Sequence, residues 1–220
     1  MSVMIKTVLF DLDGTLADTA PDLAYALNET LKLNDKPELD YEEIRPHVSH
    51  GGIALVKLGF KMEPEHPDFE TYRDQFLSIY KSNIASQTRL FVGMDELLVQ
   101  LEQQNIHWGV VTNKPSWLTD PLMDALSLTQ RAACIISGDT LSERKPHPAP
   151  ILYACQQTGA EPHECIYVGD AQRDIEAGNR AGLTTLAALF GYIEEDDDPT
   201  LWQADAMINN PLEVLNWLNI

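Results

Sequence analysis

The chain has 220 residues, a length that predicts one domain or one and a half, with a well-buried core. Its 15 Lys and Arg residues against 34 Asp and Glu residues give a net charge of -19, which repels a polyanion and argues against nucleic acid as a partner. A hydrophobic content of 44% is ordinary for a globular protein and predicts a folded chain.

The sequence has no apolar run of the about eighteen residues that a membrane-spanning helix needs. Asp11 and Asp13 interrupt the first apolar stretch before a signal-peptide pattern is complete. We therefore expect a cytoplasmic protein without membrane contact. Cys134, Cys155 and Cys165 form no CxxC pair and are expected to be reduced core residues, with disulfide or metal roles as the alternatives.

The first predicted element is a short apolar strand over residues 5–10, which stops at Asp11 and is followed by a Gly-Thr turn. The hydrophobic pattern then changes to helical spacing over residues 21–33, 41–60 and 69–84, with no strand predicted between these segments. This part of the chain is therefore predicted to be an inserted, all-helical subdomain.

After Gly93, predicted helices and strands alternate. The helices are predicted at 94–104, 117–128, 149–158 and 175–181, and the strands at 107–111, 134–137, 165–168 and 184–189. Strands separated by helices of about ten residues are typical of a parallel sheet with helices on both faces. The sequence thus predicts an α/β core, in which ligands bind beyond the carboxyl ends of the strands.

Polar residues follow the predicted strands at that edge. They are Asp11 and Asp13 after the first strand, Thr112, Asn113 and Lys114 after the second, Gly169 and Asp170 after the strand at 165–168, and Lys145 in a loop between the last two groups. Because the carboxyl ends of parallel strands share one edge, we expect these carboxylates, the hydroxyl, the amide and the lysine to converge.

The acidic residues of this set predict a metal site. Asp11 and Asp13 are two residues apart at a strand end, so both side chains can face the same way. Together with Asp170, and with Asp174 as a further member, they would repel one another unless a cation lay among them, and hard oxygen ligands suit Mg²⁺. Zinc is disfavoured because this set contains no His or Cys.

The other residues of the set predict phosphoryl transfer. A Mg²⁺ ion held by few carboxylates completes its shell with water and substrate phosphate. Lys145 can neutralise phosphoryl oxygens, while Thr112 and backbone amides near Asn113 can donate hydrogen bonds to them. Asp11 is the predicted nucleophile, which would form an aspartyl-phosphate, and Asp13 is the predicted general acid and base.

On these residues the chain resembles the haloacid dehalogenase superfamily of phosphatases. Four motifs carry the resemblance, in this order: Asp11-Leu12-Asp13-Gly14-Thr15, Thr112-Asn113, Lys145-Pro146, and Gly169-Asp170 with Asp174. The resemblance implies a Rossmann-like core, nucleophilic Asp11 and acid/base Asp13. It further implies Mg²⁺ bound by Asp11, Asp170 and the backbone carbonyl of Asp13, a phosphate cradle of Thr112, Asn113 and Lys145, and an Asp174 that supports the metal shell or Lys145.

The resemblance also identifies the helical insertion as the mobile cap of this family, which selects the substrate. It divides the chain into a catalytic core, residues 1–17 and 91–220, and a cap, residues 18–90. Within the family the chain resembles the phosphoglycolate phosphatase group. Three stretches are similar to the N-acetylmuramic acid 6-phosphate phosphatases of that group: Val48-Ser49-His50-Gly51-Gly52, residues 108–115, and Gly191-Tyr192-Ile193.

Some predicted site residues have a structural alternative. Besides the phosphate cradle, the residues predicted to contact substrate are Lys114 of the core and Arg45, Ser49, His50 and Gly51 of the cap. A polar Ser-His-Gly-Gly turn between helices explains the last three cap residues equally well. Asp174 could likewise pair with Arg173 or Arg180 on the surface of its helix.

The sequence thus predicts a Mg²⁺-dependent phosphomonoesterase, monomeric or homodimeric, whose partner is a small phosphorylated metabolite. The resemblance implies N-acetylmuramic acid 6-phosphate or 2-phosphoglycolate as substrate. One alternative is a sugar phosphomutase of the same superfamily, which would pass the phosphoryl group to a second sugar hydroxyl. Another is a catalytically silent interaction module, which would need none of the motif residues. A haloacid dehalogenase proper is disfavoured, because it does not need an acid at position 13.

Overall fold

In the computed structural model, which describes residues 4–219, a parallel sheet and a helical insertion account for most of the regular structure. The first part of the chain contains, in order, β1 (Thr7–Phe10), β2 (Ala17–Asp18), α1 (Ala20–Leu33), α2 (Tyr41–Ile44), a 3-10 helix (Arg45–His50), α3 (Gly51–Phe60), α4 (Phe69–Ser82) and β3 (Arg89–Leu90). The second part contains α5 (Met94–Gln103), β4 (His107–Val111), α6 (Ser116–Ala125), β5 (Cys134–Ile136), α7 (Ala149–Thr158), β6 (Cys165–Gly169), α8 (Gln172–Ala181), β7 (Thr184–Ala188) and β8 (Ala206–Ile208).

Six strands of the described chain form one parallel sheet in the order β5-β4-β1-β6-β7-β8. β1 lies in the interior, with Phe10 in register with Val110 of β4 and Val168 of β6. β4 and β5 lie on one side of β1. The chain then crosses to the other side of β1, where β6, β7 and β8 follow in order. Open α/β sheets bind ligands at such a reversal. The α/β fold class predicted from the sequence is confirmed.

β1 is buried on both faces because its side chains alternate between two apolar cores. Phe10 packs with Trp108 and Leu97 in a core that α5 and α6 cover. Leu9 packs with Tyr167 on the opposite face, in a core that α7 and α8 cover. A strand covered by helices on both faces has an uninterrupted apolar sequence, as β1 does. The predicted helices on both faces of the sheet are therefore present.

The segment between β2 and β3 is helical and has an apolar core of its own, to which Leu27, Phe69, Phe76 and Tyr80 contribute. Tyr192, in the loop after β7, packs on this core of the insertion. The insertion therefore forms a separate helical layer that rests on the sheet-containing part of the molecule.

The prediction of one continuous helical segment over residues 41–60 is wrong in one detail. α2 ends at Ile44, a 3-10 helix spans Arg45–His50, and α3 begins at Gly51. Pro46 lies near the start of the 3-10 helix and has no N–H to donate to the preceding turn. Gly51 has a φ of 76°, a value that a side chain would oppose. Together they break the helix while the apolar spacing continues.

Two short strands carry the chain into and out of the helical insertion. β2 and β3 pair antiparallel, with Ala17 opposite Leu90 and Asp18 opposite Arg89. The predicted boundary between core and cap at 17/18 falls within this ribbon, and the one at 90/91 falls at its end.

A buried carboxylate in the first turn of α1 reinforces this ribbon. Asp22 has no exposed surface and accepts hydrogen bonds from the backbone N–H groups of Gln87 and Thr88 and from the Thr88 hydroxyl, at 2.7 to 3.0 Å. It therefore ties the chain that leaves the insertion to the helix that begins it.

Other differences from the sequence prediction are at the ends of elements. α8 begins at Gln172 rather than 175, because its first turn is polar and gives no apolar signal. The sequence does not predict β8, whose three residues are too few to show a period. The three cysteines are free and buried, as expected. Among residues 4–219, no helix combines the length and the apolar character needed to cross a membrane.

We expect Asp22→Ala to lower the free energy of unfolding by about 3 kcal/mol, because it leaves three donors without their charged acceptor. Urea unfolding followed by circular dichroism measures this. The control is Asp74→Ala, since the side chain of Asp74 is 75% exposed and its loss should cost less than about 0.5 kcal/mol. Equal losses in the two variants would contradict the structural role of Asp22.

Candidate active site

Three of the predicted acidic residues meet at the carboxyl edge of the sheet. Asp11 follows β1, Asp170 follows β6 and Asp174 lies in the first turn of α8. All three are buried, with exposed fractions of 3%, 1% and 0%. One carboxylate oxygen of each lies within 4.8 Å of the other two. Because Asp11 and Asp170 extend from paired strands, backbone hydrogen bonds of the sheet fix their separation.

Lys145 lies inside this acidic cluster. Its Nζ is 2.8 Å from Oδ1 of Asp11 and 2.7 Å from Oδ1 of Asp174, and its side chain is 1% exposed. Nζ also donates a hydrogen bond of 2.8 Å to the hydroxyl of Tyr167, which in turn donates to the backbone carbonyl of Val111. Tyr167 therefore fixes the ammonium group between the two carboxylates. The sequence gives no signal for this role, because an aromatic residue is ordinary in a buried strand.

The residues after β4 hold the loop that carries Lys145. The side-chain amide of Asn113 donates to the backbone carbonyl of Lys145 at 2.9 Å, and its oxygen accepts from the backbone N–H of Lys145 at 3.0 Å. The hydroxyl of Thr112 accepts from the backbone N–H of Lys114 at 3.1 Å, which leaves its proton for a phosphoryl oxygen. Of the predicted phosphate cradle, Asn113 and Lys145 are therefore in contact and Thr112 is the chain neighbour of Asn113; that these three residues bind phosphate stays a prediction.

The donor set fits a divalent cation. In the described part of the chain, Oδ1 of Asp11 and Oδ1 of Asp174 are buried oxygens without a hydrogen-bond partner. Nζ of Lys145 forms close ion pairs with both, at 2.8 and 2.7 Å, and because a carboxylate oxygen has more than one lone pair, each can also bind a metal ion. Buried carboxylate oxygens with free lone pairs are the ligands that Mg²⁺ takes in proteins.

The pKa values of the cluster also indicate that added positive charge would stabilise it. Burial, together with the carboxylates of Asp11 and Asp174, raises the pKa of Asp170 to about 7. Burial also raises the pKa of Asp174, against the opposing effect of Lys145. Each shift reports that the ionised form is disfavoured where no further cation is present.

Several donors fix Asp170. The Thr15 hydroxyl donates to Oδ1 at 3.1 Å, while the Ser49 hydroxyl and the backbone N–H of Tyr192 donate to Oδ2 at 2.7 and 2.9 Å. The chain also passes very close: a β-carbon on Gly14 would lie 2.1 Å from Oδ2, and Gly14 has a φ of 85°. The glycine of the first motif is therefore required by both space and backbone conformation.

Asp13 lies apart from the acidic cluster of Asp11, Asp170 and Asp174 and faces the cap. Its Oδ1 accepts from Nζ of Lys114 at 2.8 Å and from the Thr19 hydroxyl at 2.6 Å. Burial alone would lower the pKa of Lys114, but the adjacent Asp13 raises it above its usual range. Nζ of Lys114 lies 4.7 Å from the centre of the Tyr80 ring of α4, so core and cap meet at this ion pair.

Three of the cap residues predicted to contact substrate, Arg45, Ser49 and His50, contact the core in this structure. Arg45 donates to the backbone carbonyl of Gly191 at 3.2 Å, and Nε2 of His50 lies 3.2 Å from Glu194. Ser49 reaches Asp170, as described above. A β-carbon on Gly51 would meet nothing within 4 Å. The segment Arg45–His50 therefore docks the cap beside the acidic cluster, and its contact with substrate stays a prediction.

Asp174 forms its ion pair with Lys145 rather than with Arg173 or Arg180, the two partners considered from the sequence. Arg180 pairs with Glu176, and Arg173 donates to the backbone carbonyl of Ser49 at 2.7 Å. The second oxygen of Asp174 accepts from the backbone N–H of Ala171 at 3.1 Å, which anchors the start of α8. Arg173 thus joins the core to the cap, a contact that its place in the fourth motif does not reveal.

The chain is similar to known proteins over most of its length. A family model described as haloacid dehalogenase-like hydrolase matches residues 8–188. An N-acetylmuramic acid 6-phosphate phosphatase from Pseudomonas putida is 42% identical over 210 residues, which cover 96% of this chain and 94% of the relative. A phosphoglycolate phosphatase from Xanthomonas campestris is 43% identical over 209 residues, which cover 94% and 93%. A crystal structure of a predicted phosphoglycolate phosphatase from Haemophilus somnus 129PT has a TM-score of 0.86 and 29% identity and covers 97% of both chains.

We expect Mg²⁺ to raise the melting temperature by at least about 3 °C, because a ligand that binds only the native state stabilises it by mass action. The shift is measured by differential scanning fluorimetry against NaCl of equal ionic strength. In Asp170→Asn it should fall below about 1 °C, whereas Asp120→Asn, on an exposed part of α6, should keep it. An undiminished shift in Asp170→Asn would contradict the proposed ligand set.

Proposed function

Since the chain belongs to the haloacid dehalogenase-like hydrolases, we propose that it is a Mg²⁺-dependent phosphatase in which Asp11 forms an aspartyl-phosphate. Membership of the family confirms the resemblance that the four motifs indicate, and the named relatives are phosphatases, so the chain is an enzyme of that type. The observation that carries the proposal is the buried cluster of Asp11, Asp170 and Asp174 with Lys145 among them.

The cluster supports a nucleophilic role for Asp11. Its carboxylate extends from the end of β1 and lies beside Lys145, whose charge offsets the repulsion that a phosphate dianion would meet. The Thr112 hydroxyl and Lys145 are placed to hold phosphoryl oxygens as Asp11 attacks phosphorus. Asp11, Asp170 and Asp174, with the backbone carbonyl of Asp13 that the family resemblance implies, would hold the Mg²⁺ ion, which when bound neutralises charge on the phosphoryl group.

Asp13 supplies and removes the proton in this proposal. In the first half-reaction an oxygen of Asp11 bonds to phosphorus, the bond from phosphorus to the leaving oxygen breaks, and the proton of Asp13 passes to that oxygen. In the second, a water molecule attacks the same phosphorus and gives a proton to Asp13. The bond to Asp11 then breaks, which releases inorganic phosphate and restores both carboxylates to their initial states.

The relatives suggest a class of substrate. N-acetylmuramic acid 6-phosphate and 2-phosphoglycolate, the compounds in the names of the relatives, are both phosphomonoesters that carry a carboxylate. Lys114 and Arg45 border the acidic cluster from core and cap, and their charge suits such a group. We therefore propose that the substrate carries a carboxylate. The residues proposed to contact the substrate are Lys114 of the core and Arg45, Ser49, His50 and Gly51 of the cap.

We expect Asp11→Asn to lower kcat for phosphate release by at least about a thousandfold, because an amide cannot form the acyl-phosphate bond. Free phosphate is measured with Mg²⁺ and with EDTA, and circular dichroism checks that the variant folds. Asp120→Asn is the matched control and should keep full activity. A folded Asp11→Asn protein with activity near that of the wild type would contradict the mechanism.

A panel of matched esters tests the substrate class. N-acetylglucosamine 6-phosphate lacks the lactyl carboxylate of N-acetylmuramic acid 6-phosphate, and ethyl phosphate lacks the carboxylate of 2-phosphoglycolate. We expect kcat/KM to be at least about tenfold higher for the carboxylate member of the preferred pair, since one charged contact contributes about 1.4 kcal/mol or more. Equal kcat/KM values within both pairs would contradict carboxylate recognition. Failure to release phosphate from any ester would contradict the proposed phosphatase activity.

A further inference from the structure

Tyr192 contacts both the predicted metal site and the crossing from core to cap, and the proposed function gives it no role. It lies in the loop after β7 and is 3% exposed. Its backbone N–H donates to Oδ2 of Asp170 at 2.9 Å. Its hydroxyl donates to Oδ1 of Asp18 at 2.6 Å and accepts from the backbone N–H of Ala20 at 2.9 Å. The Tyr192 hydroxyl thus makes two hydrogen bonds to the segment that leads from the core into the cap.

Those two bonds hold the chain on both sides of Thr19. Asp18 precedes Thr19 and Ala20 follows it, so the Tyr192 hydroxyl restrains both of its neighbours. Thr19 stands at the N-cap position of α1, but its side chain makes no capping hydrogen bond there. Its hydroxyl donates to Oδ1 of Asp13 instead, at 2.6 Å. A chain of hydrogen-bonded contacts therefore leads from Tyr192 to the predicted acid and base.

The contact with Thr19 sets the orientation of the Asp13 carboxylate. Thr19 and Lys114 both donate to Oδ1, so a proton for transfer is carried on the other oxygen, Oδ2. Two donors on one oxygen fix the direction of the second, and proton transfer requires the acid within hydrogen-bond reach of the leaving oxygen. If Thr19 were loosened, Oδ1 of Asp13 would depend on its contact with Lys114, and a flexible lysine side chain holds direction poorly.

We infer that Tyr192 is a positioning residue for proton transfer by Asp13, because its hydroxyl fixes the Asp18–Ala20 segment that presents Thr19. The inference rests on the proposed role of Asp13 as acid and base. It concerns the step in which the bond from phosphorus to the leaving oxygen breaks while the proton of Asp13 moves to that oxygen. An alkoxide leaving group needs this proton, whereas the acetate that leaves acetyl phosphate is a weak base and does not.

The test compares Tyr192→Phe with the wild type on two compounds, acetyl phosphate and the alkyl ester that the wild type hydrolyses fastest. The quantity measured is kcat/KM, which covers the steps up to loss of the leaving group. We expect it to fall about tenfold for the alkyl ester and less than about twofold for acetyl phosphate. An equal fall for both compounds, or no fall for either, would overturn the inference.

A double-mutant cycle tests the path through Thr19. Thr19→Val removes the hydroxyl at nearly constant volume and should reproduce the selective loss on the alkyl ester. If Tyr192 acts through Thr19, the double variant should lose no more than Thr19→Val alone, whereas losses that multiply would show independent effects and overturn the inference. Tyr25→Phe removes an exposed tyrosine hydroxyl from the same helix, α1, and should change neither rate.

Two further measurements separate the possible failures. If Tyr192→Phe is unfolded by circular dichroism, Asp18→Ala removes an acceptor of the same hydroxyl without altering the ring, and the same selective loss is expected of it. A wild-type protein that releases phosphate from neither compound would refute the proposed function and this inference together. An active wild type with variants that lack substrate selectivity would refute this inference alone.

Discussion

A buried lysine makes the acidic site physically possible. Asp11 and Asp174 are removed from water, and two uncompensated carboxylates in such a place would each cost several kcal/mol or take up protons. Lys145 lies within 2.8 Å of both and supplies the opposite charge. Its own position depends on Asn113, which binds its backbone on both sides, and on Tyr167, which accepts from Nζ. The ends of several strands are thus linked by one ammonium group.

The cap docks on the same charged centre. Ser49 donates to Asp170, and Arg173, which follows Asp170 at the start of α8, donates back to the carbonyl of Ser49. These reciprocal bonds cover the acidic cluster and keep water from it, which strengthens every charge interaction beneath. A cap that opened would break both bonds at once. Ser49 of the cap and Asp170 and Arg173 of the core therefore form one hydrogen-bonded network, which couples cap position to the geometry of Asp170.

The sequence predicts what depends on local pattern. Asp11, Thr112 and Asp170 each follow an apolar strand, and parallel strands end at a common edge, so their convergence can be inferred without a structure. Tyr192 has no such signal, because the Asp18 carboxylate it contacts is 174 positions away in the chain and meets it only after folding. The predicted continuity of residues 41–60 is wrong for a related reason. Apolar spacing persists across a helix break, and here Pro46 and Gly51, rather than the spacing, decide the backbone.

The balance of charge at the site bears on how an anionic substrate would be attracted. The whole chain carries a net charge of -19, so attraction of a phosphate must come from groups within about a Debye length, roughly 8 Å at physiological ionic strength. The charged groups at and around the site are the carboxylates of Asp11, Asp13, Asp18, Asp170 and Asp174 and the cations Arg45, Lys114, Lys145 and Arg173. Even with Asp170 half protonated near neutral pH, these cations do not outnumber the acids. The lysines therefore neutralise their own carboxylates and leave no surplus for a dianion. A divalent ion bound by the carboxylates of Asp11 and Asp174 would reverse that sign, so on the proposed function metal binding would be a condition for phosphate binding as well as for chemistry.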